Sequence, residues 1–157
     1  MKMNYKKSGC FLIIHLVFLF SCAKQPLVEL PITTTSDIAL EHYKTAMKHW
    51  EVGDNLEKRV QLDSAIIIDP NFALALEMND VPDRSKRKIH QQKAQSLIDK
   101  VTDQERLVLL IRKSYRNNNM DNALSYAKEL VDKNPNSYEA YDWLGIVQSD
   151  RNEIDNA

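Results

Sequence analysis

Apolar residues return at intervals of three and four positions after residue 36, which is the spacing of one face of a helix. Ser36 offers an N-cap for the first helix, and Asp37 places an acid in its first turn, where the helix dipole favours it. The segment 52–54, Val-Gly-Asp, breaks the pattern. A second apolar stripe stops before Pro70, because proline disfavours helical geometry in the residue before it. The pattern predicts two helices joined by a tight turn.

The end of this helix pair has a counterpart farther along the chain. Asp69-Pro70-Asn71 is matched by Asn134-Pro135-Asn136, and the two prolines are 135 − 70 = 65 positions apart. That distance is close to two periods of about 34 residues, and a period in this range indicates stacked helix pairs. The sequence therefore predicts an all-α chain of antiparallel helix pairs.

Residues 39–72 resemble a tetratricopeptide repeat (TPR). The family's small, turn and terminating positions are occupied there by Ala46, Gly53, Ala65 and Pro70. Residues 104–137 match it again through Leu107, Ala123, Ala127 and Pro135, and residues 138–157 begin a further unit through Tyr141, Leu144, Gly145 and Ala157. The resemblance implies a right-handed α-solenoid of antiparallel helix pairs. It departs from the family at Lys58, Ile111 and Leu130, which stand where a small residue is usual.

Two units of this series are irregular. Residues 73–103 make a unit of 31 positions, in which Pro82 is expected to end the first helix early and residues 84–100 to form the second. Thr102 and Glu105 have the spacing of a capping box for the helix that follows. Residues 138–157 stop about four residues into the second helix of their unit, so we expect the chain to be a fragment of a longer protein.

The N-terminus is expected to carry an export signal. Three lysines precede the apolar run 11–20, which is typical of a signal peptide and too short for a span of about 20 residues. Leu19-Phe20-Ser21-Cys22 resembles the lipobox of bacterial lipoproteins. The resemblance implies that residues 1–21 are removed and that Cys22 is lipidated; ordinary signal cleavage after Ala23 is the alternative.

The segment that follows Cys22 is expected to link the lipid to the folded region. Residues 22–35 contain two prolines and three threonines without a helical period, and this predicts an extended tether. Two or more acyl chains anchor a protein stably, so the membrane is one expected partner. Ala23 stands where enteric-bacterial lipoproteins retained at the inner membrane have Asp. That predicts the cell envelope, at the outer membrane facing the periplasm, and leaves surface exposure open.

Composition and motifs exclude several function classes. No cysteine follows Cys22, so thiolate metal sites and disulfides are excluded from the mature chain. Without the three lysines of the signal, the formal charge is 18 − 22 = −4, which argues against nucleic acid. His42 and His49 lie seven positions apart rather than at the zinc-protease spacing, and we expect both on the surface. No nucleophile elbow or phosphate loop occurs, so we expect no enzyme, cofactor or metal.

Ligands of TPR solenoids usually lie on the concave face formed by the first helix of each pair. Carried over by position, the resemblance places on that face Tyr43, Met47, Trp50, Val108, Arg112, Tyr115, Asp142 and Ile146. The alternative for Trp50 and Tyr115 is packing against neighbouring turns. The asparagine clamp that some members use for acidic chaperone tails is absent. The basic run 84–88 is expected to be a solvated helix face, with anionic headgroups or an acidic partner as the alternative.

Together these patterns predict a lipid-anchored TPR scaffold that binds a protein or peptide partner in the bacterial envelope. The alternative is the accessory TPR region of a longer envelope enzyme or sensor, whose working domain lies beyond residue 157. A small ligand or glycan stacked on aromatic residues of the concave face is a third hypothesis. No catalytic residue is assigned under any of the three.

Overall fold

The computed structural model describes residues 28–155, with side chains as far as Asn152, and this part of the chain is all-helical. Its α-helices are α1 (Asp37–Glu51), α2 (Asn55–Ile68), α3 (Ala73–Met78), α4 (Arg84–Ser96), α5 (Asp103–Arg116), α6 (Met120–Lys133) and α7 (Tyr138–Asp155). None of these helices is long and apolar enough to cross a membrane. The signal peptide and the lipidation of Cys22 concern residues outside the described range and stay predictions.

The first helix pair forms where the local signals place it. The Ser36 hydroxyl accepts the Ala39 N–H at 3.3 Å, and the Asp54 carboxylate accepts the Glu57 N–H at 3.1 Å. Between the helices, Gly53 has a φ of +77°, a conformation that a residue with a Cβ adopts only under strain. α1 packs along the length of α2. The predicted pair and its turn are therefore confirmed.

The second unit is irregular, as its sequence indicates. α3 has only six residues and ends ahead of Pro82, and the Thr102–Glu105 capping box is present at the start of α5. The prediction of one helix over residues 84–100 is wrong at its end. α4 stops at Ser96, and Ile98–Lys100 forms a 3₁₀ turn in which the Lys100 N–H donates to the Leu97 carbonyl at 2.8 Å. Such i→i+3 bonds tighten a helix end.

α7 differs from the prediction as well. A second helix was expected to begin near residue 154, but α7 continues through that position to Asp155. The stretch 148–154 contains neither Gly nor Pro, so nothing in it forces a turn. The turn before α6 by contrast has Asn118 at a φ of +51°. Whether the chain is a fragment stays a prediction.

Small residues let the helices approach closely. The predicted small positions Ala46, Ala65, Ala123 and Ala127 are all fully buried, and so are Ala39, Ala94 and Ala140. Larger side chains fill the space between them, with Leu62, Leu107, Ile111 and Leu130 among the most deeply buried. Beyond the first pair, α3 packs on α4, α6 packs on both α5 and α7, and α3 contacts α2 and α5. The core is thus continuous from α1 to α7.

Residues 28–35, here called the strap, lie against the helices. The Val28 N–H donates to the Asn136 carbonyl at 3.1 Å, and the Thr102 hydroxyl donates to the Pro31 carbonyl at 3.2 Å. Near its end, the Thr34 hydroxyl and the Thr35 N–H both donate to Asp69 Oδ2, at 2.7 and 2.8 Å. The strap is extended, as its composition indicates. It is not a free tether over these residues.

The strap follows one edge of the helical array. Its partners lie in the turns after α2, before α5 and before α7, so it crosses three inter-helix turns, which are every second turn along the chain. Leu30 and Ile32 pack against the buried core. Burial of two apolar side chains favours the bound strap over a free tether.

We expect Asp69→Ala to release the C-terminal part of the strap. Burial opposes ionisation of Asp69, but the Thr35, Thr34 and Asn71 donors together hold the pKa of this carboxyl below its ordinary value of 3.8. The contribution of these bonds is therefore fully present above pH 3.8 and is lost as the pH falls through the lower folded pKa. Hydrogen exchange of the Thr35 amide should accelerate in the variant at pH 7. Unchanged protection there would contradict the role given to Asp69.

Candidate functional site

A cleft of about 280 Å³ opens beside the strap and is lined by helices α1, α3, α5 and α7. These are the first helices of the expected pairs. Its walls are formed by Tyr43, Lys44, Met47, Lys48, Trp50, Glu51, Leu74, Glu105, Val108, Tyr138, Glu139, Asp142 and Trp143, together with strap residues 29–32. Apolar and aromatic side chains carry most of the surface, with a few carboxylates among them. That is the usual composition of a ligand site.

The structure brings together five of the eight residues that the sequence placed on the concave face. Tyr43, Met47, Trp50, Val108 and Asp142 all line this one cleft. The other three, Arg112, Tyr115 and Ile146, do not line it.

Tyr43 forms part of the cleft wall, but its side chain is too buried to offer much surface to a ligand. Its side chain is buried, and its ring lies 5.1 Å from the Phe72 ring, tilted by 42°. Burial raises the pKa of the Tyr43 hydroxyl, and the nearby Glu105 carboxylate raises it further. The Tyr43 hydroxyl thus stays neutral, and the ring forms part of the cleft wall.

Trp50 joins the first and last helices across the cleft. Its ring lies 5.8 Å from that of Trp143 on α7, with a tilt of 37°, and both rings line the cleft. A pair at this distance is a favourable aromatic contact. Trp50 thus packs against the core and has its aromatic partner on α7, while its role in ligand binding stays a prediction.

Three carboxylates meet where α1 ends and α7 begins. Glu51, Glu139 and Asp142 line the cleft together, and none of them forms an ion pair with another described residue. Burial raises the pKa of Asp142, and the charges of Glu51 and Glu139 raise it further. Lys44, which also lines the cleft, forms an ion pair with Glu29, with its Nζ 2.5 Å from Glu29 Oε2. The cleft therefore concentrates negative charge at this end.

We expect Asp142→Asn to stabilise the protein at neutral pH. A carboxyl whose folded pKa is raised destabilises the folded state once the pH exceeds that pKa, and amide substitution removes the repulsion. For a partly exposed group the gain should be small, on the order of 1–3 °C in melting temperature. The gain should vanish near pH 3, where Asp142 is protonated in the wild type. A lower melting temperature at pH 7 would contradict the repulsion.

Arg112 belongs to a charged cluster behind the cleft. Its Nη2 lies 3.3 Å from Asp80 Oδ1, and its Nε lies 3.9 Å from Glu77 Oε1. Arg116 also pairs with Glu77, and Lys58 Nζ lies 3.2 Å from Asp80 Oδ2. The cluster joins α2, α3 and α5. Arg112 therefore lies outside the lining of the cleft and forms ion pairs, and its contact with a ligand stays a prediction.

Tyr115 also takes part in packing. Its ring lies against the buried core, next to α7. Burial raises the pKa of the Tyr115 hydroxyl, and the Asp150 carboxylate on α7 raises it further. Tyr115 thus packs against the core, as the alternative expects, and its role in binding stays a prediction.

Sequence reasoning missed three important residues of the cleft: Glu105, Glu139 and Trp143. Asp142 and Trp143 lie three and four residues after Glu139, so the helical spacing used for α1 could have placed all three on one face. Glu105 was recognised only as part of a capping box. Its position in the cleft depends on how α5 and the strap come together over a long sequence distance, and no local signal reports that.

The histidines make ordinary polar contacts. His42 Nδ1 lies 2.7 Å from Gln61 Oε1, and His49 Nδ1 lies 3.4 Å from Asp54 Oδ2. Both are partly exposed, whereas His90 is buried. Within residues 28–152, no group of three or more His, Cys, Asp or Glu side chains is placed to hold a metal ion.

Comparison with known proteins gives no match, either to a protein-family model or to a curated protein sequence. The TPR resemblance therefore rests on the residues quoted above. The function proposed below rests on the cleft and the strap.

Proposed function

We propose that this chain is a lipid-anchored, TPR-like scaffold that binds an extended segment of another envelope protein in the cleft. Its helices would form a right-handed α-solenoid of antiparallel pairs. Support for that arrangement comes from α1, α3, α5 and α7, which all contribute to one cleft, and from the small buried residues at the expected packing positions. Such solenoids present a continuous concave surface.

The strap is the observation that carries this proposal. It is an extended segment whose backbone bonds to inter-helix turns at Thr102 and Asn136, and its residues 29–32 form one wall of the cleft. The edge of the cleft therefore already accommodates an extended backbone. A partner segment could lie beside it, with side chains entering the cleft next to the Trp50–Trp143 pair, because extended chains offer both backbone donors and alternating side chains.

The proposed lipid on Cys22 would lie near one end of the series of helices. Cys22 precedes Val28 by six residues, which reach about 20 Å when fully extended. Since Val28 bonds to Asn136, a lipid on Cys22 would hold the turn between α6 and α7 close to the membrane. Incorporation of labelled palmitate in wild type and its loss in Cys22→Ser would test the anchor separately from the cleft.

Photo-crosslinking in cells tests the proposed function. A photoreactive residue at Met47, inside the cleft, is expected to give a discrete cross-linked product with an envelope protein. The same residue at Lys128, which is exposed on α6 and does not line the cleft, is the matched control. Identical products from the two positions, or none from Met47, would argue against binding in the cleft.

A further inference from the structure

The cleft has an excess of negative charge. Five carboxylates line it, against two lysines. Lys44 already forms an ion pair with Glu29, and Lys48 has an exposed side chain. Glu51, Glu139 and Asp142 lie close enough for Glu51 and Glu139 to raise the pKa of Asp142. A ligand with positive charge would relieve this repulsion when it binds.

Glu105 supplies an independent observation. This residue lines the cleft and is only 2% exposed. The Thr33 hydroxyl and the Thr102 N–H both donate to its Oε2, while its Oε1 is buried without a hydrogen-bond partner. An unpaired buried carboxylate oxygen is unfavourable, so it marks a place where a donor is missing.

The aromatic residues narrow the class of cation. Trp50 and Trp143 line the same cleft as the carboxylates, with their rings 5.8 Å apart, and Trp143 is 8% exposed. A guanidinium stacks on aromatic rings, and its five N–H donors suit paired carboxylate oxygens better than an ammonium does. The volume of about 280 Å³ lies just below the usual range for whole small-molecule sites, and it suits one long side chain.

We propose that the cleft binds an arginine side chain carried on an extended segment of the partner. The guanidinium would lie against Trp50 and Trp143 and bond to Glu139 and Asp142, with Glu51 at its rim. This inference rests on the proposed function, since it names the chemistry of the segment that the cleft receives.

The chain carries its own reporter for this site. It has two tryptophans, and both line the cleft. The purified full chain in a non-ionic detergent can be titrated with a blocked pentapeptide that contains one arginine, while tryptophan fluorescence is recorded. The matched ligand replaces arginine by citrulline, which keeps the shape and removes the charge. We expect the arginine peptide to cause a saturable change in tryptophan fluorescence. The affinity for the citrulline peptide should be at least about tenfold weaker.

Charge variants of the protein complete the test. Glu139→Gln with Asp142→Asn should weaken binding of the arginine peptide by about tenfold or more. Glu41→Gln with Asp132→Asn removes the same charge from two exposed positions outside the cleft and should leave the affinity within about twofold, since screened surface charges contribute little. The melting temperature of each variant reports whether it has folded.

The outcomes separate the two proposals. Equal binding of arginine and citrulline peptides would overturn the arginine inference while supporting a peptide-binding cleft. Binding of tetramethylammonium as tight as that of the arginine peptide would assign the cleft to a small cation and overturn it too. No fluorescence response to either peptide, together with a Met47 cross-link in cells, would reject arginine alone. No response and no Met47 cross-link would reject both proposals.

Discussion

Replacing Phe72 by Ala is expected to lower the free energy of unfolding by about 3–5 kcal/mol, the usual loss for a buried aromatic residue. Phe72 is 0% exposed and is among the largest fully buried side chains of the chain's described part. It stands between α2 and α3 and packs its ring 5.1 Å from Tyr43 of α1. The substitution therefore opens a cavity where the first two helix pairs meet.

Urea denaturation at pH 7 measures this effect, and Ile67→Ala provides the control. Ile67 lies five residues earlier and is 78% exposed, so its truncation should change the free energy of unfolding by less than about 0.5 kcal/mol. Tyr43 packs on Phe72 and forms part of the cleft wall, so Phe72→Ala should also weaken ligand binding in the cleft. A loss below about 1 kcal/mol would mean that Phe72 is less important to the core than its burial indicates.

The helices of this chain were predictable because their signals are local. Ser36, Gly53 and Pro70 act on residues within one turn of themselves, and the structure confirms each boundary. The capping box at Thr102 and Glu105 is another such signal. α7 shows the limit of this reasoning, because the repeat period predicted a turn that no residue in the stretch 148–154 enforces.

The candidate site was predictable only in part because it is built by long-range packing. Tyr43, Met47 and Asp142 were found through their positions in the repeat that the chain resembles, which needs only the sequence of the helix that carries each residue. The contact of Trp50 with Trp143 joins the first and last helices, and the strap bonds to Thr102 across 71 positions. Extended segments carry no periodicity that would reveal such partners. The strap therefore read as a free tether.

Lys58 departs from the repeat pattern, and the structure shows which contact its side chain makes. A small residue is usual at its position in the family that the repeat resembles, yet the lysine is only 3% exposed. Its ammonium lies 3.2 Å from Asp80, in the loop between α3 and α4, and Asp80 also pairs with Arg112. Lys58 and Asp80 thus link the regular first unit to the irregular second one.

The two partners of this ion pair should respond differently to substitution. Asp80→Ala leaves the Lys58 ammonium buried without an anion, and we expect a loss of about 2–4 kcal/mol in the free energy of unfolding. The loss should lie toward the lower value because the Asp80 side chain is itself 44% exposed and water can reach the site. Lys58→Met removes the buried charge and keeps the length of the side chain. Its effect should stay within about 1 kcal/mol in either direction, because Asp80 retains Arg112.

The double variant Lys58→Met with Asp80→Ala decides whether the buried charge is the cause. If it is, the second substitution costs less in the Lys58→Met background than in the wild type, because no ammonium is left unpaired. Urea denaturation of the four proteins at pH 7 gives the coupling directly. Additive losses would show that Asp80 acts through Arg112 or through its loop, and that Lys58 is tolerated at a position of close helix packing by its aliphatic stem alone.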